Sequence, residues 1–249
     1  NGSGGDDILN GGTGDDVLRG GSTAAEETNG NDTYVWAKGD GNDTIHDLGI
    51  SLAEVDRLVL TDVASDDVKL NRANGSDNLT ITILSTNEVI TDVQRYYYDG
   101  RNYGLESIAF SDGVIWGLED IYAQTSTEGS SGSDTLAGKN TPDNFYGLAG
   151  DDTLNGSGGD DILNGGTGDD VLTGGIGLDT FVFTAGDGAD TITDFEDGVD
   201  LIQIAGQTFG DLTITQSGND VDITMASGDS IKLLNTGIVD ITESDFVFV

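Results

Sequence analysis

From Gly129 to Val182 the chain repeats every nine residues without a gap, as GSSGSDTLA, GKNTPDNFY, GLAGDDTLN, GSGGDDILN, GGTGDDVLT and GGIGLDTFV. Two more repeats, GSGGDDILN and GGTGDDVLR, run from Gly2 to Arg19. No other feature constrains the fold as much, because nine residues cannot bury a core alone and must stack on their own copies. Small residues, mostly glycine, fill the first four positions, aspartate the sixth, and a large apolar residue the eighth. Glycine at this density lets the backbone take φ > 0 on tight turns and leaves consecutive carbonyls exposed. The last three positions, such as Ile162-Leu163-Asn164, read as a short strand with one side chain pointing inward. Turn plus strand is half a coil, and 18 residues close one coil.

Position eight is Leu9 and Leu18 in the first array, continued by Tyr34 and Ile45, and Leu136, Phe145, Leu154, Leu163, Leu172, Phe181 and Ile192 in the second. Stacked coils bring these into two apolar ladders between parallel strands. Each buried leucine contributes about 1.5–3 kcal/mol, against about 1–2 kcal/mol of backbone entropy for every residue of its repeat. Apolar residues are 35% of the chain, so no large conventional core makes up the difference. An array without ligands is not expected to fold.

A longer duplication contains the short one. Residues 1–18 and 155–172 are identical; 31–47 resembles 178–194, and 55–60 resembles 199–204. The segment 67–81 parallels 211–223. The chain is thus two copies of a glycine-aspartate array followed by a glycine-poor flank, with the boundary in the polar stretch 124–128. The expected domains are a first roll at 1–62, interrupted by an insertion at 23–29, and a first β flank at 63–123. A second roll at 129–204 and a flank at 205–249 complete the plan. In the flanks, KLN (69–71), LTITI (79–83), LTIT (212–215), VDITM (221–225) and SIKLL (230–234) alternate with a period of two, which predicts short antiparallel strands. Helical turns are expected only at 118–124 and 52–56. The fold class is therefore all-β: two parallel β-rolls, each followed by a strand-rich capping flank.

Acidic residues number 46 against 9 basic ones, a net charge of −37, which excludes electrostatic affinity for nucleic acid or anionic membrane. Stacking places the aspartates of alternate repeats one strand spacing apart, about 4.8 Å, where two charges repel by about 3.5 kcal/mol at an effective dielectric near 20. The columns Asp134, Asp152, Asp170 and Asp143, Asp161, Asp179 therefore call for a cation in every gap. With no cysteine in the chain and no histidine in the array, the ligands are hard oxygens on a flexible turn, which selects Ca²⁺ over transition metals and over magnesium's strict octahedron. The bland alternative is a solvated acidic surface, but random acidity would not keep aspartate at every ninth position with an apolar residue two further on. The extra acids at position five, Asp15, Asp151, Asp160 and Asp169, are expected to be solvated.

The repeats GGTGDDVLR and GGTGDDVLT resemble the repeat-in-toxin, or RTX, calcium-binding nonapeptide, G-G-x-G-x-D-x-U-x. Asp7 belongs to the same register, and Asp32, Asp43, Asp190 and Asp200 to variant repeats. The stretch 31–121 is similar to the domain that accompanies haemolysin-type calcium-binding repeats. The resemblance implies that each repeat serves two ions: carbonyls at positions one and three with the aspartate bind one, and those at two and four with the same aspartate bind its neighbour. Carried over, this gives Gly11, Gly12, Thr13 and Gly14 with Asp16; Gly129 and Ser131 with Asp134; and Gly147, Leu148, Ala149 and Gly150 with Asp152. It also gives Gly156, Ser157, Gly158 and Gly159 with Asp161; Gly165, Gly166, Thr167 and Gly168 with Asp170; and Gly174, Gly175, Ile176 and Gly177 with Asp179. Repeat 138–146 departs from the pattern through Lys139, Asn140, Thr141 and Pro142, so a weak or missing ion is expected beside Asp143. The insertion puts a site joining Asp16 to Asp32 in doubt.

The resemblance further implies a bacterial protein that is secreted, or displayed at the cell surface, by a type I exporter. The ending Glu243-Ser244-Asp245-Phe246-Val247-Phe248-Val249 is similar to the acidic residue and short apolar tail of such substrates, and Asn1 reads as the last residue of an earlier repeat in a longer parent. No apolar run approaches the roughly 18 residues of a membrane span. No HExxH, GxSxG, GxGxxG or Walker motif is present, and no enzyme activity is expected of this chain. His46 stands where the second copy has Thr193 and reads as a strand-surface residue. Tyr96, Tyr97, Tyr98 and Tyr103, near Arg95, Arg101 and Trp116, offer a stacking platform for a glycan or cell-surface partner, with packing of the flank on its roll as the plainer reading. The competing functions are an adhesin-type binding module and an accessory domain of a secreted enzyme or toxin. A regular threonine row for ice binding is absent.

Overall fold

The structure is a computed structural model and describes residues 1–21, 30–47, 54–74, 76, 78–93 and 104–249. The chain divides into two compact halves, Asn1–Thr125 and Ser126–Val249.

In the C-terminal half the last three positions of each repeat form a strand that pairs in parallel with the strand two repeats on. Thr135–Ala137, Thr153–Gly158, Val171–Ile176 and Ala189–Ile192 follow one another in one sheet. Asn144–Tyr146, Ile162–Asn164, Thr180–Phe183 and Leu201–Ile204 build the other. The register puts position eight opposite position eight: Leu136, Leu154, Leu172 and Ile192 form one ladder, and Phe145, Leu163, Phe181 and Ile202 the other. All are fully buried in one core. This is a parallel β-roll, and it exists because a nine-residue step sends successive inward residues to opposite sheets.

The flank continues the roll before ending it. Ser230–Leu233 pairs in parallel with Ala189–Ile192, and Phe246–Phe248 with Leu201–Ile204, so each sheet gains one more parallel strand. Asp220–Thr224 and Thr213–Ser217 then add antiparallel, as their alternating sequences predict. Met225, Val221 and Ile223 extend the same core.

The N-terminal half follows the same plan. Ile8–Leu9, Thr33–Trp36, Arg57–Leu60 and Ser107–Ala109 are parallel, with Ile115–Trp116 antiparallel at the end. Val17–Arg19, Thr44–His46 and Val89–Asp92 are parallel, followed by antiparallel Leu79–Ile83 and Val68–Ala73. Leu118–Gln124 is α-helical, its start closed by the Gly117 N–H donating to Asp120 Oδ2 at 2.9 Å and its end by the Thr125 hydroxyl donating to the Ile121 carbonyl at 2.6 Å. The helical turn expected at 52–56 falls mostly outside the described residues. No helix among the described residues is long and apolar enough to cross a membrane.

Candidate metal centre

The position-six aspartates form ladders, but not of bare carboxylates facing each other as the charge argument supposed. One carboxylate oxygen of each aspartate accepts the backbone N–H of the aspartate one coil earlier. Asp134 donates to Asp152 Oδ1 at 2.7 Å, Asp152 to Asp170 at 2.7 Å and Asp170 to Asp190 at 3.0 Å. The other column runs Asp143 to Asp161 at 2.7 Å, Asp161 to Asp179 at 3.0 Å and Asp179 to Asp200 at 3.1 Å. The N-terminal half repeats this from Asp7 to Asp32 at 2.9 Å, from Asp32 to Asp56 at 2.6 Å and from Asp16 to Asp43 at 2.9 Å. Partners across the insertion are therefore Asp7 with Asp32 and Asp16 with Asp43. A peptide dipole holds each carboxylate in orientation and leaves its second oxygen for another partner.

That second oxygen has none from the protein. Oδ2 of Asp7, Asp32, Asp152, Asp161, Asp170, Asp179 and Asp190 is buried without a hydrogen bond. A buried anionic oxygen left unpaired is costly, and a hard cation is the partner that fits it. The position-one glycines serve these oxygens. A side chain at Gly147, Gly156, Gly165 or Gly174 would collide with Oδ2 of Asp152, Asp161, Asp170 or Asp179 in the same repeat. Glycine is required there for space, since none of these four has a positive φ. Position four needs it for conformation, as at Gly168 with φ +141°. Position two also lies at positive φ, yet it accommodates Leu148 at +79° and Ser157 at +74°.

Carbonyls stack coil on coil beside these carboxylates. Gly165 O approaches Gly147, Gly174 O approaches Gly156, and Leu148 O and Ser157 O lie under Gly166 and Gly175. At position three, Thr167 O accepts the Gly150 N–H at 2.9 Å and Ile176 O the Gly159 N–H at 2.9 Å, so each has one lone pair left for an ion. Ala149 and Gly158 also sit in this layer, bridged to Thr167 and Asn140. The turn containing Gly11, Gly12, Thr13 and Gly14 stacks on that of Asp40 and Gly41, with the Gly14 N–H donating to Asp40 O at 2.7 Å.

The first two repeats of the second array differ. Asp134 Oδ2 accepts the Ser130 N–H at 2.6 Å and the Ser130 hydroxyl at 2.7 Å, and Asp143 Oδ2 accepts the Lys139 N–H at 2.8 Å. Their turns at Gly129, Ser131 and 138–143 thus close on themselves. Asp200 is closed too, since both its oxygens accept backbone N–H groups, from Asp179 and from Glu196.

Two features escape a reading of the repeat alone. The exposed position-five acids form an outer ladder: Asp151 Oδ1 accepts the Asp169 N–H at 3.0 Å, Asp160 Oδ1 the Leu178 N–H at 2.9 Å, and Asp15 Oδ1 the Asn42 N–H at 2.9 Å. Each flank also sends a carboxylate into the last turn of its roll. Asp229 accepts the N–H groups of Gly186 and Gly188, and Glu88 those of Gly39 and Gly41. Position-five periodicity hinted at the first, but nothing local marks the second. His46 lies half-buried on Thr44–His46 beside Arg19. Tyr96, Tyr97, Tyr98, Tyr103, Arg95 and Arg101 lie outside the described residues, as does the insertion.

Burial, reinforced by neighbouring carboxylates, raises Asp161 and Asp190 to about 7 and Asp170, Asp200 and Asp32 to about 6. Burial also raises Asp43, Asp152 and Asp179. Without an ion these sites resist ionising, and at Asp32, Asp152, Asp161, Asp170, Asp179 and Asp190 the raised carboxyl is one whose second oxygen is unpaired.

The RTX calcium-binding nonapeptide repeat family matches the chain in four copies, at residues 1–23, 128–163, 146–181 and 155–192. The haemolysin-type calcium binding protein related domain matches residues 78–120. Among curated proteins none matches. An extracellular lipase from Serratia marcescens is similar in structure over 100% of this chain, at 18% identity and a TM-score of 0.45, and the chain spans 39% of the lipase's length. Two subunits of the mannuronan C5-epimerase from Azotobacter vinelandii are 26% identical over 48% and 49% of this chain, each at a TM-score of 0.40, with 80% and 92% of their own lengths covered. With its repeats, its flank and its parallel β-rolls, the chain belongs to the RTX, haemolysin-type calcium-binding repeat proteins.

Proposed function

We propose that the chain is a calcium-driven folding and export module of a larger extracellular bacterial protein. The observation that carries this reading is the run of buried, unpaired Oδ2 atoms at Asp152, Asp161, Asp170, Asp179 and Asp190. Carboxylates so placed oppose the fold when bare and support it once a cation bridges them to the stacked carbonyls. At cytosolic calcium, far below the roughly 10⁻⁴–10⁻³ M at which extracellular modules bind, the chain stays unfolded and fit to thread an exporter. Outside, calcium fills the turns and the rolls form, with no disulfide required. In the fold Phe246–Phe248 is a strand of the roll, so this segment is free to thread an exporter only in the unfolded chain.

Far-ultraviolet circular dichroism through a calcium titration, with magnesium as control, tests this. Little β-structure is expected in excess chelator at neutral pH, with a cooperative gain on adding calcium and none with magnesium. Complete β-structure in chelator sinks the folding switch.

A further inference from the structure

In the N-terminal half, three carboxylates from different coils meet, two of them members of the aspartate ladder. Asp32, Asp47 and Asp56 are buried, and one oxygen from each lies within 4.8 Å of the others. Asp56 Oδ1 is fixed by the Asp32 N–H at 2.6 Å and Asp32 Oδ1 by the Asp7 N–H at 2.9 Å, which orients their remaining oxygens. A fourth oxygen joins them. Tyr34 is completely buried and its hydroxyl has no hydrogen-bond partner. A side chain at Gly20 would strike both Asp32 Oδ2 and this hydroxyl, so the two converge on one spot.

The same register of the C-terminal half shows how unusual this is. There position eight is Phe181, which has no hydroxyl. Three buried negative charges beside an unsatisfied hydroxyl need a compensating cation. Three carboxylate oxygens within 4.8 Å of one another suit calcium, whose bonds of about 2.3–2.6 Å span about that distance across the ion.

We propose that Asp32, Asp47, Asp56 and the Tyr34 hydroxyl form a calcium site built from side chains, distinct from the carbonyl-lined turn sites. Asp32 is shared between it and the aspartate ladder, so the ion would lock the first coils of this half onto the strand Arg57–Leu60 beyond the insertion. The site rests on the calcium reading for the identity of its ion, and its test separates the two.

The test counts bound calcium per full-length chain by equilibrium dialysis for the wild type, Asp47→Asn and Tyr34→Phe. Tryptophan fluorescence checks that the N-terminal half is folded, since both tryptophans, Trp36 and Trp116, lie in it. Asp47→Asn is expected to lose one ion. Tyr34→Phe, which reproduces the residue found at Phe181, is expected to keep the fold and weaken one ion about tenfold. If both variants bind the wild-type number with wild-type affinities, this site is wrong while the turn sites stand. If the wild type binds no calcium at millimolar concentration, both readings fall. Should Asp47→Asn not fold, Tyr34→Phe decides alone.

Discussion

Residues 1–18 and 155–172 have the same sequence and different surroundings. The second copy is stacked on both sides: Ile162–Asn164 pairs with Asn144–Tyr146 and Thr180–Phe183, and Val171–Ile176 with Thr153–Gly158 and Ala189–Ile192. In the first copy, Ile8–Leu9 pairs with Thr33–Trp36 and Val17–Arg19 with Thr44–His46, on one side each. Ile8 is 80% exposed where Ile162 is 39%, and Asp7 and Asp16 are half-buried where Asp161 and Asp170 are buried. Local sequence therefore sets the shape of a coil, while the coils stacked on it set how deeply its aspartates are buried.

The largest expected break in this comparison is steric. A side chain at Gly14 meets nothing, whereas at Gly168 it meets the Gly150 carbonyl of the adjacent coil, though both have positive φ. Gly14→Ala should cost about 1–2 kcal/mol from conformation alone. Gly168→Ala adds overpacking of about 1–3 kcal/mol, for about 3 kcal/mol or more. Calcium-saturated chemical unfolding measures both, and equal losses would mean that stacking does not distinguish the copies.

Next comes the ligand. Asp161→Ala removes a buried Oδ2 and the acceptor for the Asp143 N–H, whereas Asp7→Ala removes a buried Oδ2 and leaves the bond from the Asp7 N–H to Asp32 Oδ1 in place. The calcium midpoint by circular dichroism should rise about tenfold for Asp161→Ala, or about 1.4 kcal/mol. For Asp7→Ala the rise should be about twofold. Tryptophan fluorescence should shift with Asp7→Ala alone, because both tryptophans sit in the N-terminal half. A midpoint unmoved by Asp161→Ala would remove position six from the ligand set.

Much of this was legible in the sequence. The nine-residue period located the strands, both apolar ladders from Leu136 to Ile192, and the aspartates whose oxygens prove unpaired. It was legible because the ladder contacts from Asp134 to Asp179 lie at a fixed separation of 18 residues, two repeats. What escaped reading depends on pairings that no period encodes. The Asp32, Asp47, Asp56 and Tyr34 cluster spans coils separated by irregular intervals, and Glu88 and Asp229 reach the turns from antiparallel flanks. The N–H donors that tame the aspartate columns are backbone groups and leave no trace in residue identity. Glycine at position one was read as a conformational need and proves to be room for a carboxylate.

Acidity should separate the halves more gently. An aspartate raised above its usual 3.8 holds, in the ion-free fold, a proton that the unfolded chain has released. The ion-free rolls are thus most stable in acid and lose that stability as pH rises from about 4 toward 7. In excess chelator the β-structure should therefore grow as pH falls, first in the C-terminal half, where Asp161 and Asp190 titrate at about 7, and later in the N-terminal half, read by tryptophan, where Asp32 titrates at about 6. Circular dichroism and tryptophan fluorescence in chelator from about pH 7.5 to about pH 4 check this, and no gain of structure on acidification would show that these carboxylates do not oppose the ion-free fold.

The smallest effect should be the one for which the copies agree. Asp6 and Asp160 occupy the same position of the same repeat, and both are exposed. Asp6 Oδ1 accepts the Asn31 N–H at 2.9 Å, and Asp160 Oδ1 the Leu178 N–H at 2.9 Å. Water replaces a lost bond at an exposed site, so Asp6→Ala and Asp160→Ala should each cost about 0.5 kcal/mol, the low end for a hydrogen bond. The two losses should match, because this bond needs only the following coil, and both copies have one. A large loss in Asp160→Ala alone would bring position five into the ion site of the fully stacked roll, and the division between inner ligands and outer ladder would have to be redrawn.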